Sequence, residues 1–198
     1  MIPAAGTANL RPGFARPVFD SQSTFRSVLH AMAHPGRVEP LAVLPPAPEP
    51  LTAAAAAVCL TLFDLDTPVW LDAGSTAARS WLGFHCGCPL VADTGRALFA
   101  LVTQPETLPP LADLAAGTAE APEQSATVII QVGMLAAGRG RRLTGPGIDG
   151  EALLSAGLPD RFWPEFDRNH RRFPQGVDVI LAASDRIAAL PRTVRVGG

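Results

Sequence analysis

The segment His85-Cys86-Gly87-Cys88 sets an imidazole and two thiols within four residues. Zinc takes such donors when a second pair of ligands stands elsewhere in the chain. The other candidates, Cys59, His30, His34 and His170, have no paired spacing. A turn that packs small thiols accounts for the segment better, so no metal site is expected. Asp64, Asp66 and Asp72 flank a short apolar run. Carboxylates two residues apart can hold Mg2+ or divide acid and base roles. Asp66-Thr67-Pro68 also reads as an ordinary turn, and that role is preferred.

Two further clusters could hold an anion. Gly138-Arg139-Gly140-Arg141-Arg142 runs on to Gly145-Pro146-Gly147. It lacks the spacing of a dinucleotide fingerprint and the lysine of a phosphate loop. Guanidinium groups can still grip a phosphate or phosphonate with paired hydrogen bonds. The glycines around Pro146 mark a fixed turn. Arg168, His170, Arg171 and Arg172 form the second cluster. There the negative end of a helix dipole suits cations without any ligand. Ser75 and Ser125 sit in no G-x-S-x-G elbow, the signature of a serine hydrolase.

Composition removes several chemistries. All 16 basic residues are arginine. Without lysine there is no ε-amine for a Schiff base, so pyridoxal catalysis is excluded and no cofactor is expected. Net charge is −2, which leaves no basic excess for nucleic acid. Three cysteines, an odd number, argue against a disulfide framework. The first residues lack the charged and apolar pattern of a secretion signal. The apolar stretch Leu51 to Phe63 falls short of the roughly 20 residues that span a bilayer. A cytoplasmic protein with no membrane partner is the simplest expectation.

The elements that must position these residues follow from periodicity. Residues 1–19, with three prolines, read as an extended N-terminal arm. Residues 20–198 read as one α/β domain. Phe25, Val28, Leu29 and Met32 repeat at helical spacing, with Ser21 or Ser23 as cap and Pro35-Gly36 as stop. Arg37 to Leu44 reads as a strand. Thr52 caps a helix over Ala53 to Phe63 that is apolar nearly all round and should be buried. Pro68 to Asp72 is a short strand, and Ser75 or Thr76 opens a helix to about Phe84. Leu90 to Ala92 and Leu98 to Val102 are strand-like, and Pro105 to Ala116 is expected to be helical. Val128 to Val132 is the strongest strand signal, being β-branched and flanked by turn residues. Gly138 to Leu143 is expected to pair with it. Helices are expected over Glu151 to Ala156 and Pro159 to Arg171. Val177 to Ala182 reads as a strand, and Thr193 to Val196 as an edge strand. This alternation predicts a mixed sheet flanked by helices.

The motifs, taken in order, resemble a known family. They are Phe25-Arg26-Ser27-Val28-Leu29-His30-Ala31-Met32-Ala33-His34-Pro35-Gly36, the Asp64–Asp72 run, Phe84-His85-Cys86-Gly87-Cys88-Pro89-Leu90 with Ala92-Asp93, Pro122 to Val128, Leu143 to Ile148, and Phe173-Pro174-Gln175-Gly176-Val177-Asp178. Together they are similar to the PhnH family, the H subunit of carbon–phosphorus lyase, over about residues 18–182. The resemblance implies a subunit of the complex that serves organic phosphonate catabolism. It implies action with G, I and J subunits to form α-D-ribose 1-methylphosphonate 5-triphosphate from ATP and methylphosphonate. It also implies a homodimer and a fold similar to pyridoxal-phosphate-dependent transferases without the cofactor. The family supplies no catalytic residues to carry over.

The candidate ligand surface, for a phosphonate or nucleotide, is therefore drawn from residues in or beside those motifs. These are His34, Arg37, Asp64, Asp66, His85, Arg142, Gly145, Gly147 and Asp178, placed mostly at element ends, where α/β ligands bind. Two alternatives stand against the subunit reading. One is a stand-alone enzyme using the aspartates and His85. The other is an anion-binding regulator using the arginine clusters.

Overall fold

The computed structural model describes residues 11–197. A six-stranded mixed sheet forms its centre. The strands are β1 (Glu39–Pro40), β2 (Val69–Leu71), β3 (Phe99–Val102), β4 (Thr127–Gln131), β7 (Asp178–Ala183) and β8 (Arg186–Leu190), ordered β1-β8-β7-β4-β3-β2. β2, β3, β4 and β7 run parallel, and β8 turns back antiparallel on β7. Three further strands form a second sheet: β6 (Ala152–Ala156), β5 (Leu135–Thr144) and β9 (Arg195–Gly197), in the order β6-β5-β9. The expected class, α/β with a mixed sheet and helices, is the class observed.

Side-chain alternation along the central strands makes two cores. Leu101, Ile129, Ile180 and Ile187 face one side. There they meet helices α1 (Pro17–Ala33), α2 (Ala53–Leu62) and α3 (Arg79–Cys86). Ala100, Val128, Ile130, Val179 and Leu181 face the other side, against helix α4 (Phe162–His170) and the second sheet through Leu143 and Leu154. A strand buried on both faces needs an unbroken apolar run, and Val128-Ile129-Ile130 provides it. α2 is capped as expected, the Thr52 hydroxyl accepting from the Ala55 N–H at 3.2 Å. Its residues Ala54 to Cys59 are fully buried, because a row of methyl groups lets a helix lie close to the sheet.

Several elements differ from expectation. α1 begins at Pro17, inside the stretch read as an arm; residues 1–10 of that arm lie outside the described residues. Proline at the first helical position has no N–H to lose. Asp20, rather than a serine, closes the turn by accepting the Arg16 N–H at 2.8 Å. The strand expected from Arg37 shrinks to two residues. Helix α3 starts only at Arg79, after a 3-10 turn over Ala73–Ala78. Leu90 makes a single bridge to Val69. Pro105 to Ala116 holds two separate 3-10 turns, Pro105–Thr107 and Leu111–Asp113. Pro109 and Pro110 lie between them and supply no N–H to carry a helix through.

The region 135–156 departs most. β5 does not pair with β4, and Ala152–Ala156 is a strand rather than a helix. Leu154 alternates with its neighbours and packs inward beside Leu143, which a strand period permits and a helix period does not. β5 bulges, so that Ala137 and Arg141 both stand opposite Leu154. Gly140 has φ +95° at this point, and a Cβ there would lie 2.5 Å from the Leu154 carbonyl oxygen. Only glycine allows so close an approach.

Candidate functional site

In open parallel sheets, ligands gather at the carboxyl ends of the strands. Here that end carries a buried polar cluster. Asp72 follows β2 and is 2% exposed. Its carboxylate accepts from the Thr103 N–H at 2.8 Å, the Gln104 N–H at 3.1 Å and the Thr107 hydroxyl at 2.9 Å. The hydroxyls of Ser75 and Thr103 also donate to it. Two strands over, at the end of β4, Gln131 accepts from the Thr52 N–H at 2.5 Å and donates to the Pro50 carbonyl at 3.0 Å. The cluster is closed upon itself: backbone and hydroxyl donors satisfy the acid, and it stitches β2 to β3. Asp72→Ala should therefore act on stability. It leaves the buried Thr103 N–H without an acceptor and frees the Gln104 N–H at the surface, and the expected loss is about 2 kcal/mol. Urea unfolding would read it, with Asp72→Asn falling between the variant and the parent.

The candidate residues fall at several places. Asp64 and Asp66 lie before β2, at its amino end. Asp64 Oδ1 accepts the Asp66 N–H at 3.0 Å, and the Asp64 N–H donates to Thr67 Oγ1 at 2.7 Å, so they build the turn that Asp66-Thr67-Pro68 implies. His85, on α3, lies 3.0 Å from the Arg11 carbonyl oxygen through Nε2, and Trp81 Nε1 donates to the same oxygen at 2.7 Å. This pair fixes the approach to α1. For the nearby thiols, burial works against the thiolate, the nucleophilic form. Burial pushes Cys59 well up, and burial with Cys88 beside it pushes Cys86 to about 12. Among the described residues, no cluster of His, Cys, Asp and Glu is arranged to hold a metal ion.

A second group gathers where α1 ends. The His34 ring lies 4.3 Å from the His30 ring, centroid to centroid, and His30 meets Glu39 at 2.8 Å. Gly147 adopts φ +81°, and a Cβ there would run into the Ala33 carbonyl oxygen. Glycine is required for the β5–β6 turn to close on the helix end. Arg37 is exposed beside it. Arg142, on β5, meets Glu151 at 3.4 Å across the outer surface. Gly145 lines a pocket with Phe173 and Thr193. Those two residues also wall an adjoining apolar pocket of about 400 Å3, where Asp178 lies.

Asp178 is spoken for by a residue absent from the expected set. Arg192 donates to it from Nη2 at 2.6 Å and from its backbone N–H at 2.7 Å. The same guanidinium donates to the carbonyls of Pro122 at 2.8 Å and Pro174 at 3.3 Å, and to Ser125 Oγ at 2.5 Å. One side chain thus ties two loops, at Pro122–Ser125 and Pro174, to the amino end of β7. No local pattern marks Arg192, since each partner is distant in sequence. The pieces quoted as family-like, Pro122–Val128 and Phe173–Asp178, are what it holds together.

The pattern described for the bacterial phosphonate metabolism protein (PhnH) family matches residues 12–197. The chain belongs to the PhnH family. It is 37% identical over 186 residues to the alpha-D-ribose 1-methylphosphonate 5-triphosphate synthase subunit PhnH of Rhizobium meliloti (strain 1021), covering 92% of this chain and 93% of that protein. It is also 34% identical over 185 residues to the putative C-P lyase subunit protein HtxG of Stutzerimonas stutzeri, covering 88% and 85%. The PhnH family match over residues 12–197 takes in the central sheet, the second sheet and the Arg192 clamp.

Proposed function

We propose that this chain is the H-type subunit of a carbon–phosphorus lyase assembly, serving bacterial use of organic phosphonates. The near full-length match to a synthase subunit carries this reading. In it, the chain works with G, I and J subunits to form α-D-ribose 1-methylphosphonate 5-triphosphate from ATP and methylphosphonate. It contributes structure more than reacting groups. The two features that could have served a free-standing enzyme support that division of labour. Asp72 is sealed within its own hydrogen bonds, and Asp64 and Asp66 build a turn at the amino end of β2.

The surface supports the same reading. Val18, Phe25 and Leu29 stand on one face of α1 and are 79%, 44% and 51% exposed, with Phe19 beside them. A contiguous apolar helix face open to water is a docking feature. The reading includes a homodimer, a cytoplasmic location and a fold related to pyridoxal-phosphate-dependent transferases. No helix among the described residues is long and apolar enough to cross a membrane. The surface of His34, Arg37, Arg142, Gly145, Gly147 and Asp178, with Asp64, Asp66 and His85 on the α3 side, is proposed to face ligand or partner rather than to react.

Co-expression with G, I and J subunits tests the proposal. A sized complex that forms the triphosphate product from ATP and methylphosphonate, and stops when this chain is left out, is the expected result. Full product formation without the chain would overturn it.

A further inference from the structure

The basic cluster at the end of α4 divides in two. Arg171 meets Asp167 at 2.7 Å, and His170 Nδ1 lies 2.9 Å from the Arg192 carbonyl oxygen. The side chains of Arg168 and Arg172 have no hydrogen bond or ion pair among the described residues. Both line one groove of about 400 Å3 between α4 and the Pro110–Ala112 segment. They stand four residues apart, so their side chains share a face and two like charges repel. The carboxylate within the groove, Glu165, does not relieve them. It is held by Arg161 at 3.3 Å and by the Leu111 N–H at 3.2 Å.

The walls of the groove are fixed. Arg161 donates to the carbonyls of Glu106 at 3.2 Å and Leu108 at 2.7 Å, and with Glu165 it pins the loop to the helix. Asn169, at the groove floor, is 4% exposed and is engaged with the backbone of Val177 in both directions. The facing side, Pro110, Leu111 and Ala112, is apolar. Two unpaired guanidiniums lining a groove with an apolar wall suit a ligand with an anionic head and an organic body. The helix dipole accounts for cations at this end of α4, but not for both of them lining one groove with no partner.

We infer that Arg168 and Arg172 form a binding site for a tetrahedral phosphorus oxyanion, as the head of an organic phosphate or phosphonate. The inference stands apart from the subunit reading, since it concerns binding to the chain itself. The test is calorimetric titration of the full chain with inorganic phosphate, methylphosphonate and adenosine 5′-monophosphate. Binding of at least one is expected at millimolar concentrations or below. It should weaken about tenfold or more in Arg168→Gln/Arg172→Gln, roughly one charge-assisted bond or more, and stay unchanged in Arg171→Gln. All three oxyanions binding alike would mean the head alone is read. Tighter binding of the nucleotide would assign the apolar wall to the organic body. No heat with any of the three, or the same affinity in the double variant, would overturn the inference. Thermal unfolding of each variant separates lost binding from lost fold.

Discussion

Placing two charges on the apolar face of α1, as Phe25→Glu with Leu29→Glu, should abolish assembly with partner chains and leave the isolated fold intact. These side chains are 44% and 51% exposed, so the folded monomer loses little when they change. An interface does lose, because buried charges without partners there cost several kcal/mol, equivalent to a fall in affinity of about a thousandfold. Size-exclusion chromatography with light scattering, with and without the partner subunits, would show it. The control is Arg26→Glu, next to Phe25, which makes the same change in net charge beside the apolar stripe and not on it. Unchanged assembly of the double variant would mean that another face carries the contacts.

Breaking the Arg192–Asp178 pair is expected to be the most damaging single change to stability. Their side chains are 13% and 16% exposed, and Arg192 holds the Pro122 and Pro174 carbonyls besides its partner. Removing one member of a buried pair leaves an uncompensated charge, at a cost of about 3–5 kcal/mol. Arg192→Ala should exceed Asp178→Ala, because it also frees the loops at Pro122 and Pro174. Chemical denaturation of both singles and the double gives the coupling directly. A loss below about 1 kcal/mol in each would show that the loops hold without the clamp.

Much of the central layer could be read from residue order. Thr52 and the alanine run specify α2 because the cap and the apolar periodicity agree. Val128-Ile129-Ile130 specify a doubly covered strand because little else tolerates three such residues in a row. The second sheet could not be read this way. Ala-Leu-Leu-Ser-Ala over 152–156 contains no β-branched residue, and its strand character comes only from pairing with β5. The proline-rich 105–116 segment was misleading for a different reason: its composition resembles a helix start twice over, and neither start can propagate. The candidate ligand residues have in common only their position in or beside the motifs. Such motifs mark what the backbone must do, as Gly147 and the Asp64 turn show. The Arg192 clamp and the unpaired state of Arg168 and Arg172 are properties of distant contacts, which no local pattern carries.

The strand order has a consequence for how the chain reaches this shape. β7 and β8 are joined by a two-residue turn at Ser184-Asp185, a closure that a chain makes within microseconds. β4 and β7 lie side by side and parallel, yet the whole of residues 132–177 separates them. Their pairing must wait for that stretch to collapse, because closing a long loop costs entropy before any contact repays it. Local pairing such as the β5–β6 hairpin is therefore expected to form before the parallel core, an order that φ-values would read. During synthesis β4 leaves the ribosome with one of its edges unfilled, and it stays so until β7 emerges.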